Sequence, residues 1–182
     1  MNLFHSIILG IVEGVTEFLP ISSTAHLIIT SKFLNIGQTD FLKFFEVFIQ
    51  SGAILAVIIL YYKDLVKNKK LQKKVLFSFI PTAVIGFLLY KIIKKVFFDS
   101  NILIILSILI IGILFLLIEY LIKNKKIKLT KSIDKLNIKE AIIIGLAQSI
   151  AVIPGVSRAG ITMFSMMLMG WVIETGFSKG VI

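Results

Sequence analysis

Three long apolar runs dominate this sequence and constrain its fold more than any other feature. They cover residues 41–62, 71–90 and 101–122. An α-helix rises about 1.5 Å per residue, so a run of roughly 20 residues matches a bilayer core of about 30 Å. Hydrophobic residues make up 57% of the chain and charged residues 16%, against roughly 45–50% and about 25% in soluble domains. The sequence therefore predicts an all-α polytopic membrane protein with three transmembrane helices.

Lysine residues are concentrated in the connections between these runs. The formal net charge is +10, and lysines number six in residues 63–74, three in 91–100 and seven in 123–139. The positive-inside rule predicts that 63–74 and 123–139 are cytoplasmic loops and that 91–100 faces outside. Contacts with lipid headgroups are the alternative interpretation of the two richer segments. No nucleic-acid-binding module accompanies the basic charge, so we expect membrane lipids and no nucleic acid as partners.

The N-terminal stretch lacks the features of a secretory signal. No basic region precedes its apolar residues, and Glu13 and Glu17 lie among them. We therefore do not expect a cleavable signal peptide. The sequence contains no cysteine, which excludes disulfide bonds and thiolate metal sites.

Two further apolar stretches are broken by proline and carry polar or ionisable side chains. Residues 1–40 contain Pro20, and residues 140–170 contain Pro154 followed by Gly155. Proline interrupts a helix, and charged groups in hydrocarbon are costly unless they line a cavity. Each stretch is therefore predicted to form a re-entrant hairpin of two half-helices, buried against the rest of the protein.

The two broken stretches also resemble each other. When Gly10 is aligned with Gly145, Ser22 falls on Ser157 without a gap. Because three spans separate the stretches, the two hairpins would enter from opposite sides of the membrane. This pattern is typical of an inverted-topology repeat whose broken helices meet near the midplane. The second half of the repeat would be incomplete, since it stops after its hairpin.

The first cluster of chemically capable residues is E-G-V-T-E-F-L-P-I-S-S-T-A-H, residues 13–26. Glu13 and Glu17 are four residues apart, so on a helix they share one face and can hold a ligand between them. Beyond Pro20 a hydroxyl side chain caps the next half-helix, whose free N–H groups favour an anion. His26 lies in the first turn of that half-helix. The candidate caps are Ser22, Ser23 and Thr24, and the simplest alternative is that these residues and His26 serve only capping and packing.

The second cluster is P-G-V-S-R-A-G-I-T, residues 154–162. Gly155 permits a tight bend, and Ser157 can cap the following half-helix. Arg158 is the single arginine among 20 basic residues, and its planar guanidinium suits phosphate oxygens better than an ammonium does. The alternative is an interfacial arginine that extends toward water.

Together the two hairpins would bring helix N-termini and one guanidinium close to two carboxylates. Carboxylates and phosphates repel each other, so a divalent cation, Mg²⁺ or Ca²⁺, is predicted between them, with Glu13 and Glu17 as its protein ligands. Such a site suits a phosphorylated, lipid-soluble substrate.

Long segments of the chain resemble the undecaprenyl-diphosphate phosphatase family, the bacitracin resistance proteins. L-G-I-V-E-G-V-T-E-F-L-P-I-S-S-T-A-H is similar to the family's first signature, P-G-V-S-R-A-G-I-T to its second, and F-E-V-F-I-Q-S-G-A-I-L-A-V to its first full span. The resemblance implies a hydrolase that converts undecaprenyl diphosphate to undecaprenyl phosphate and inorganic phosphate. This reaction recycles the carrier lipid for peptidoglycan synthesis, cell-wall biogenesis and cell shape, and gives resistance to the antibiotic bacitracin.

The resemblance also implies residue roles and a location. The catalytic set would be Glu17, Ser23, His26 and Arg158, with either Ser23 or His26 as nucleophile and Arg158 stabilising charge. The protein would be a multi-pass component of the bacterial inner (plasma) membrane, with its active site facing outside, and a homodimer is a further partner to consider. The substrate-binding residues would be Ser22, Thr24, Ser157, Arg158 and Thr162.

Two features depart from the family pattern. Ala159 stands where the family usually has serine. Family members are longer than 182 residues, and after Gly170 the text W-V-I-E-T-G-F-S-K-G-V-I no longer follows the pattern, so we expect a C-terminal truncation and an atypical tail over residues 171–182. Two alternatives follow: an inactive fragment of the enzyme, and a transporter or lipid flippase, a class in which broken-helix inverted repeats are common.

Overall fold

A computed structural model of the chain describes residues 1–37, 39–96, 101–132 and 135–172. Within these ranges the regular structure is helical and no β-strand forms, which confirms the predicted all-α class. The helices, in chain order, are α1 (Leu3–Thr16), α2 (Ser23–Phe33), α3 (Asp40–Leu60), α4 (Tyr62–Lys67), α5 (Lys69–Val96), α6 (Asn101–Lys123), α7 (Ile138–Gln148), a short 3₁₀ helix (Ser149–Val152) and α8 (Arg158–Leu168).

Helices α3, α5 and α6 are long and apolar enough to cross a membrane. The qualifying segments are Asp40–Leu60, Lys69–Leu89 and Ile102–Lys123. Many of their large apolar side chains point away from the protein, and those of Phe87 and Ile102 are 84% and 70% exposed. So much apolar surface would cause aggregation in water, whereas lipid accommodates it. The three predicted spans are confirmed, and the protein is a polytopic membrane protein.

The lysine-rich segment 63–74, predicted as a cytoplasmic connection, is largely helical, and its cytoplasmic location stays a prediction. Helix α4 covers its first part and α5 begins at Lys69, with Asn68 between them. The Asn68 side chain accepts a hydrogen bond from the Leu71 backbone N–H at 3.0 Å and so caps α5. Lysine is a good helix former, so lysines mark the end of the apolar segment without ending the helix. At its other end α5 continues to Val96, and residues 97–100 of the predicted outer connection lie outside the described residues.

Helices α1 and α2 form the first hairpin. Helix α1 ends at Thr16, and Pro20 lies in the turn that follows it. The helix therefore ends ahead of the proline, as expected from the clash that disfavours helical backbone just before this residue. The hairpin packs on the start of α3 through a buried apolar cluster of Leu9, Leu27, Ile36 and Leu42.

Helices α7 and α8 form the second hairpin. Asn137 and Glu140 form a capping box at the start of α7, which satisfies two N–H groups at the helix end. The bend before α8 contains Gly155 at φ +90°, and a Cβ there would lie 2.7 Å from the Ile104 carbonyl oxygen of α6. This bend therefore requires glycine both for its backbone conformation and for its close approach to α6.

Helix α7 also packs closely along α5. The Thr82 hydroxyl donates to the Gly145 carbonyl oxygen at 2.9 Å. A Cβ on Gly145 would collide with the backbone carbonyl of Ser78. This close contact fixes the second hairpin against the middle of a membrane span.

Trp171 packs against the segment that precedes α7. It is 1% exposed, and the Lys131 ammonium lies 5.3 Å from its ring centre. The Val172 N–H donates to the Lys131 carbonyl at 3.0 Å. Of the tail predicted over residues 171–182, these first two residues are therefore packed on the protein, and residues 173–182 lie outside the described residues.

Candidate functional site

The turns of the two hairpins meet at a cavity of about 430 Å³. The Ser157 hydroxyl of the second hairpin donates to the Leu19 carbonyl of the first at 3.3 Å. Helices α3, α5 and α6 supply the remaining walls. The polar side chains that line the cavity are Glu17, Ser22, Ser23, Thr24, Lys43, Glu46, Gln50, Thr82, Gln148, Ser157 and Arg158.

Glu17 contacts polar side chains of both hairpins. Its Oε2 accepts a hydrogen bond of 2.5 Å from the Ser23 hydroxyl, and its Oε1 forms a 3.1 Å ion pair with Arg158 Nη2. The Glu17 side chain is 15% exposed, so solvent screens these contacts only partly. A carboxylate that accepts the hydroxyl proton of a serine is the arrangement that activates a serine nucleophile.

Arg158 makes both of its side-chain hydrogen bonds through one nitrogen. Nη2 donates to Glu17 Oε1 at 3.1 Å and to Gln50 Oε1 at 3.2 Å. The side chain is 52% exposed. A guanidinium carries five N–H donors in a planar fork, so Nη1 and Nε remain to bind phosphate oxygens.

The two half-helices that begin at the cavity start in different ways. Ser157 caps α8, because its hydroxyl accepts a hydrogen bond from the Gly160 N–H at 3.0 Å. Ser22 precedes α2 at φ 65° and makes no side-chain capping bond. Capping requires an extended backbone at that position, so the expectation of a hydroxyl cap is confirmed for Ser157 and wrong for Ser22. The first N–H groups of α2 therefore have no serine side chain as acceptor.

His26 is separated from the cavity. Its Nδ1 lies 2.9 Å from the Ser22 carbonyl oxygen, and its side chain does not line the wall. Thr24, two residues earlier, does line it. The structure thus brings Ser23, Thr24 and Glu17 to the cavity and leaves His26 one helical turn behind them.

Glu13 is buried beside the site. Its side chain is 2% exposed, and neither carboxylate oxygen has a hydrogen-bond partner. The Glu17 N–H donates to the Glu13 carbonyl at 2.9 Å, which keeps the two acids one helical turn apart. Among the described residues no group of three His, Cys, Asp or Glu side chains could hold a metal ion. A cation at these two acids would therefore need further oxygen ligands from water or phosphate.

Thr162 contacts the cavity wall only indirectly, through Gln148. Its hydroxyl donates to Gln148 Oε1 at 3.3 Å, and Gln148 Nε2 donates to the Thr82 hydroxyl at 3.3 Å. Gln148 and Thr82 line the cavity, whereas Thr162 does not. Thr162 is thus placed to orient Gln148.

Three cavity residues on α3 were not predicted from the sequence. Lys43, Glu46 and Gln50 are three and four residues apart, so they share one helix face. Glu46 is 8% exposed, and its Oε1 is buried without a hydrogen-bond partner. The signal was available, because charged residues inside a membrane span usually face the protein interior.

These features define a class: a polytopic α-helical membrane protein whose two broken-helix hairpins bring a serine, a carboxylate and an arginine to one cavity. A family model described as bacitracin resistance protein BacA matches residues 6–178. The chain belongs to this family. The match runs past Gly170, where we expected the family pattern to stop.

Relatives in other bacteria support the same assignment. The chain is 48% identical over 170 residues to a protein of Persephonella marina, 47% to one of Wolinella succinogenes and 45% to one of Aquifex aeolicus. Each of these is named undecaprenyl-diphosphatase. The alignments cover 93% of this chain and 65–66% of the relatives, so the chain spans slightly less than two thirds of their length.

Proposed function

We propose that this chain hydrolyses undecaprenyl diphosphate to undecaprenyl phosphate and inorganic phosphate. The observation that carries the proposal is Glu17, which binds the Ser23 hydroxyl with one oxygen and Arg158 with the other. The name of the relatives, undecaprenyl-diphosphatase, supports the lipid substrate. Through this reaction the protein would recycle the carrier lipid for the cell wall and give bacitracin resistance. Lipid transport, the alternative from the sequence, is not favoured by these relatives.

The first chemical step uses Ser23 as nucleophile. Glu17 accepts the hydroxyl proton while Ser23 Oγ attacks the terminal phosphorus atom. The new Oγ–P bond forms as the bridging P–O bond breaks, and undecaprenyl phosphate leaves with the electron pair of that bond. Ser23 is preferred over His26 in this role because it contacts Glu17 and lines the cavity, whereas His26 does neither.

The second step regenerates the serine. A water molecule attacks the phosphoserine phosphorus, and its protons stay with the inorganic phosphate that is released. As the Oγ–P bond breaks, Glu17 returns to Ser23 Oγ the proton that it accepted in the first step. Arg158 stabilises the charge on the phosphoryl oxygens in both steps through its planar fork. Gln50 helps to hold the guanidinium, because its Oε1 accepts a second hydrogen bond from Arg158 Nη2 at 3.2 Å.

A divalent cation, Mg²⁺ or Ca²⁺, is part of the proposal. Glu13 fits this role in one respect, because a buried carboxylate without a partner calls for a compensating cation or proton. Glu13 and Glu17 would hold the ion, with water and phosphate oxygens completing its shell. When bound, it would offset the repulsion between these carboxylates and the diphosphate.

The decisive experiment measures phosphate release by the purified 182-residue chain in detergent with a polyprenyl diphosphate substrate. We expect turnover that requires Mg²⁺ or Ca²⁺ and is lost with a chelator. Glu13→Gln should shift the cation requirement to higher concentration, since one ligand loses its charge. No phosphate release by a folded, monodisperse sample would overturn the proposed activity and favour an inactive fragment. Release that is insensitive to chelation would overturn the cation alone.

The proposed location is the bacterial inner membrane, with the active site facing outside and residues 63–74 and 123–139 in the cytoplasm. The lysine distribution supports it. The chain contains no cysteine, so Lys69→Cys and Lys126→Cys can each be labelled specifically. Neither should react with an impermeant thiol reagent added to intact cells, and both should react after lysis. Labelling of both in intact cells would reverse the topology. A homodimer is also proposed, and cross-linking in native membranes tests it.

A further inference from the structure

A second cavity lies at the start of α5 and α7. It measures about 570 Å³ and is lined by Lys70, Lys73, Lys74, Asn137, Ile138 and Lys139. Thr82, at the wall of the first cavity, lies two turns beyond Lys74 along α5, about 12 Å at the helical rise. The second cavity is therefore a separate place in the molecule that the proposed reaction does not use.

The lysines come from two segments that are far apart in the sequence. Lys70, Lys73 and Lys74 share one face of α5 because they are three and four residues apart. Lys139 belongs to α7. The Thr82–Gly145 contact lies further along both helices, so α5 and α7 run in the same direction and start beside each other.

Among the residues that the structure describes, the lining of this cavity includes no acidic side chain. The nearest acid in sequence, Glu140, is engaged by Lys131 at 3.0 Å. Lys70, Lys73 and Lys139 are exposed, so their ammonium groups can reach a ligand. The like charges of Lys70, Lys73 and Lys139 repel each other, and an anion placed between them would remove this cost.

The position along the membrane span indicates the source of the anion. The apolar segment of α5 is Lys69–Leu89, with 21 residues, and at about 1.5 Å per residue it matches the bilayer core. The lysines occupy its first turns, at the edge of this core, and their long side chains can extend to the headgroups. Leu76 and Phe77 continue the lysine face three and four residues beyond Lys73. They are 56% and 37% exposed, and Ile138 is 42% exposed. A soluble anion would not bury this apolar surface, whereas the acyl chain of a lipid would.

We propose that this cavity binds the phosphate-bearing headgroup of an anionic phospholipid. The ammonium groups of Lys70, Lys73 and Lys139 hold the phosphate, and the acyl chains lie along α5 over Leu76 and Phe77. The bound lipid links α5 to α7 at the point where the second hairpin begins. It thereby stabilises the contact between α5 and α7 from the membrane surface.

The test uses the purified full chain in an uncharged detergent, with lipid binding measured by native mass spectrometry. The probes are phosphatidylglycerol, phosphatidylcholine and inorganic phosphate. The cavity variant is Lys73→Gln with Lys139→Gln. The control variant, Lys63→Gln with Lys126→Gln, removes the same charge from exposed positions in the same two lysine-rich segments but outside the cavity.

We expect phosphatidylglycerol to bind in preference to phosphatidylcholine. A lysine near the membrane surface strengthens the binding of an anionic lipid. The double cavity variant should therefore lose roughly 30-fold in phosphatidylglycerol affinity, while the control should lose much less. Lys73→Arg with Lys139→Arg should retain binding, which separates loss of charge from loss of folding. Any of three results would overturn the site. These are equal binding of both lipids, equal losses of affinity in the cavity and control variants, or loss of binding in the arginine variant. Competition by inorganic phosphate at the lipid's own concentration would overturn the lipid as its occupant.

Discussion

The two hairpins reach the same cavity with different local structures. In the second, Gly155 makes the bend and Ser157 caps α8, so the backbone around Arg158 is fully supported. In the first, Ser22 adopts φ 65° and α2 starts without a side-chain cap. The two hairpins therefore have different roles at the cavity. The capped hairpin holds the Arg158 guanidinium in place, while the uncapped one presents the Ser23 hydroxyl to the cavity.

The hairpins are also anchored differently. The first packs through an apolar cluster that includes Leu9, Leu27 and Leu42. The second is held by the backbone-level contact of Gly145 with α5 and by the Thr82 hydroxyl. Apolar clusters adjust to small changes in volume, whereas a contact that only glycine permits does not. The second hairpin should therefore be the less tolerant of substitution.

The largest expected effect concerns the nucleophile in the first hairpin. Ser23→Ala removes the hydroxyl that Glu17 binds, and loss of a nucleophile lowers turnover by roughly 10⁴-fold or more. His26→Ala is the matched control on the same helix, and we expect a loss below about tenfold because His26 does not line the cavity. Phosphate release at saturating substrate measures both. If His26→Ala proves as damaging as Ser23→Ala, the assignment of the nucleophile is wrong.

The next largest effect concerns the guanidinium of the second hairpin. Arg158→Lys keeps the charge but loses the fork that reaches Glu17, Gln50 and phosphate together. Losing one preorganised contact of this kind costs roughly 10²–10³ in turnover, and Arg158→Ala should be only slightly worse. The loss should appear in kcat more than in KM, since the charge on the phosphoryl oxygens grows during P–O cleavage. Near-full turnover of Arg158→Lys would show that only the charge matters.

The aligned glycines of the two hairpins give a matched pair for stability. Gly145→Ala places a Cβ against the Ser78 backbone, and such overpacking costs about 1–3 kcal/mol. A Cβ on Gly10 meets nothing within 4 Å, so Gly10→Ala should stabilise α1 by about 0.5–1 kcal/mol through helix propensity. The free energy of unfolding in mixed micelles measures both. Equal effects of the two substitutions would remove the proposed difference in anchoring.

Much of this architecture was predictable from the sequence, because the features that indicate it are local. Run length predicted the three spans, and proline with polar residues predicted the two broken stretches. Ser157 was correctly predicted as a cap because Pro154 and Gly155 fix the backbone around it. Ser22 was wrongly predicted as a cap, because its backbone has a positive φ that no neighbouring residue indicates.

The cavity wall was harder to predict because it depends on tertiary packing. Glu46 and Gln50 lie in an apolar run, and only the docking of α3 against the hairpins shows which face lines the cavity. His26 is close to Ser23 in the sequence but does not line the cavity, and its catalytic role stays a prediction. In the structure, its ring instead turns to the Ser22 carbonyl oxygen. Helix phase is predictable from spacing, but the partner of a given face is not.

The smallest effect tests the difference in capping directly. Ser157→Ala removes the acceptor of the Gly160 N–H, and loss of such a cap costs about 1 kcal/mol. Ser22→Gly should have the opposite sign. Glycine adopts positive φ without the steric cost of a Cβ, a gain of up to about 1 kcal/mol, and no capping bond is lost. Unfolding of both variants in the same mixed micelles gives the two signs. A destabilising Ser22→Gly would mean that the Ser22 hydroxyl supports the first hairpin after all, and the contrast between a capped and an uncapped half-helix would have to be abandoned.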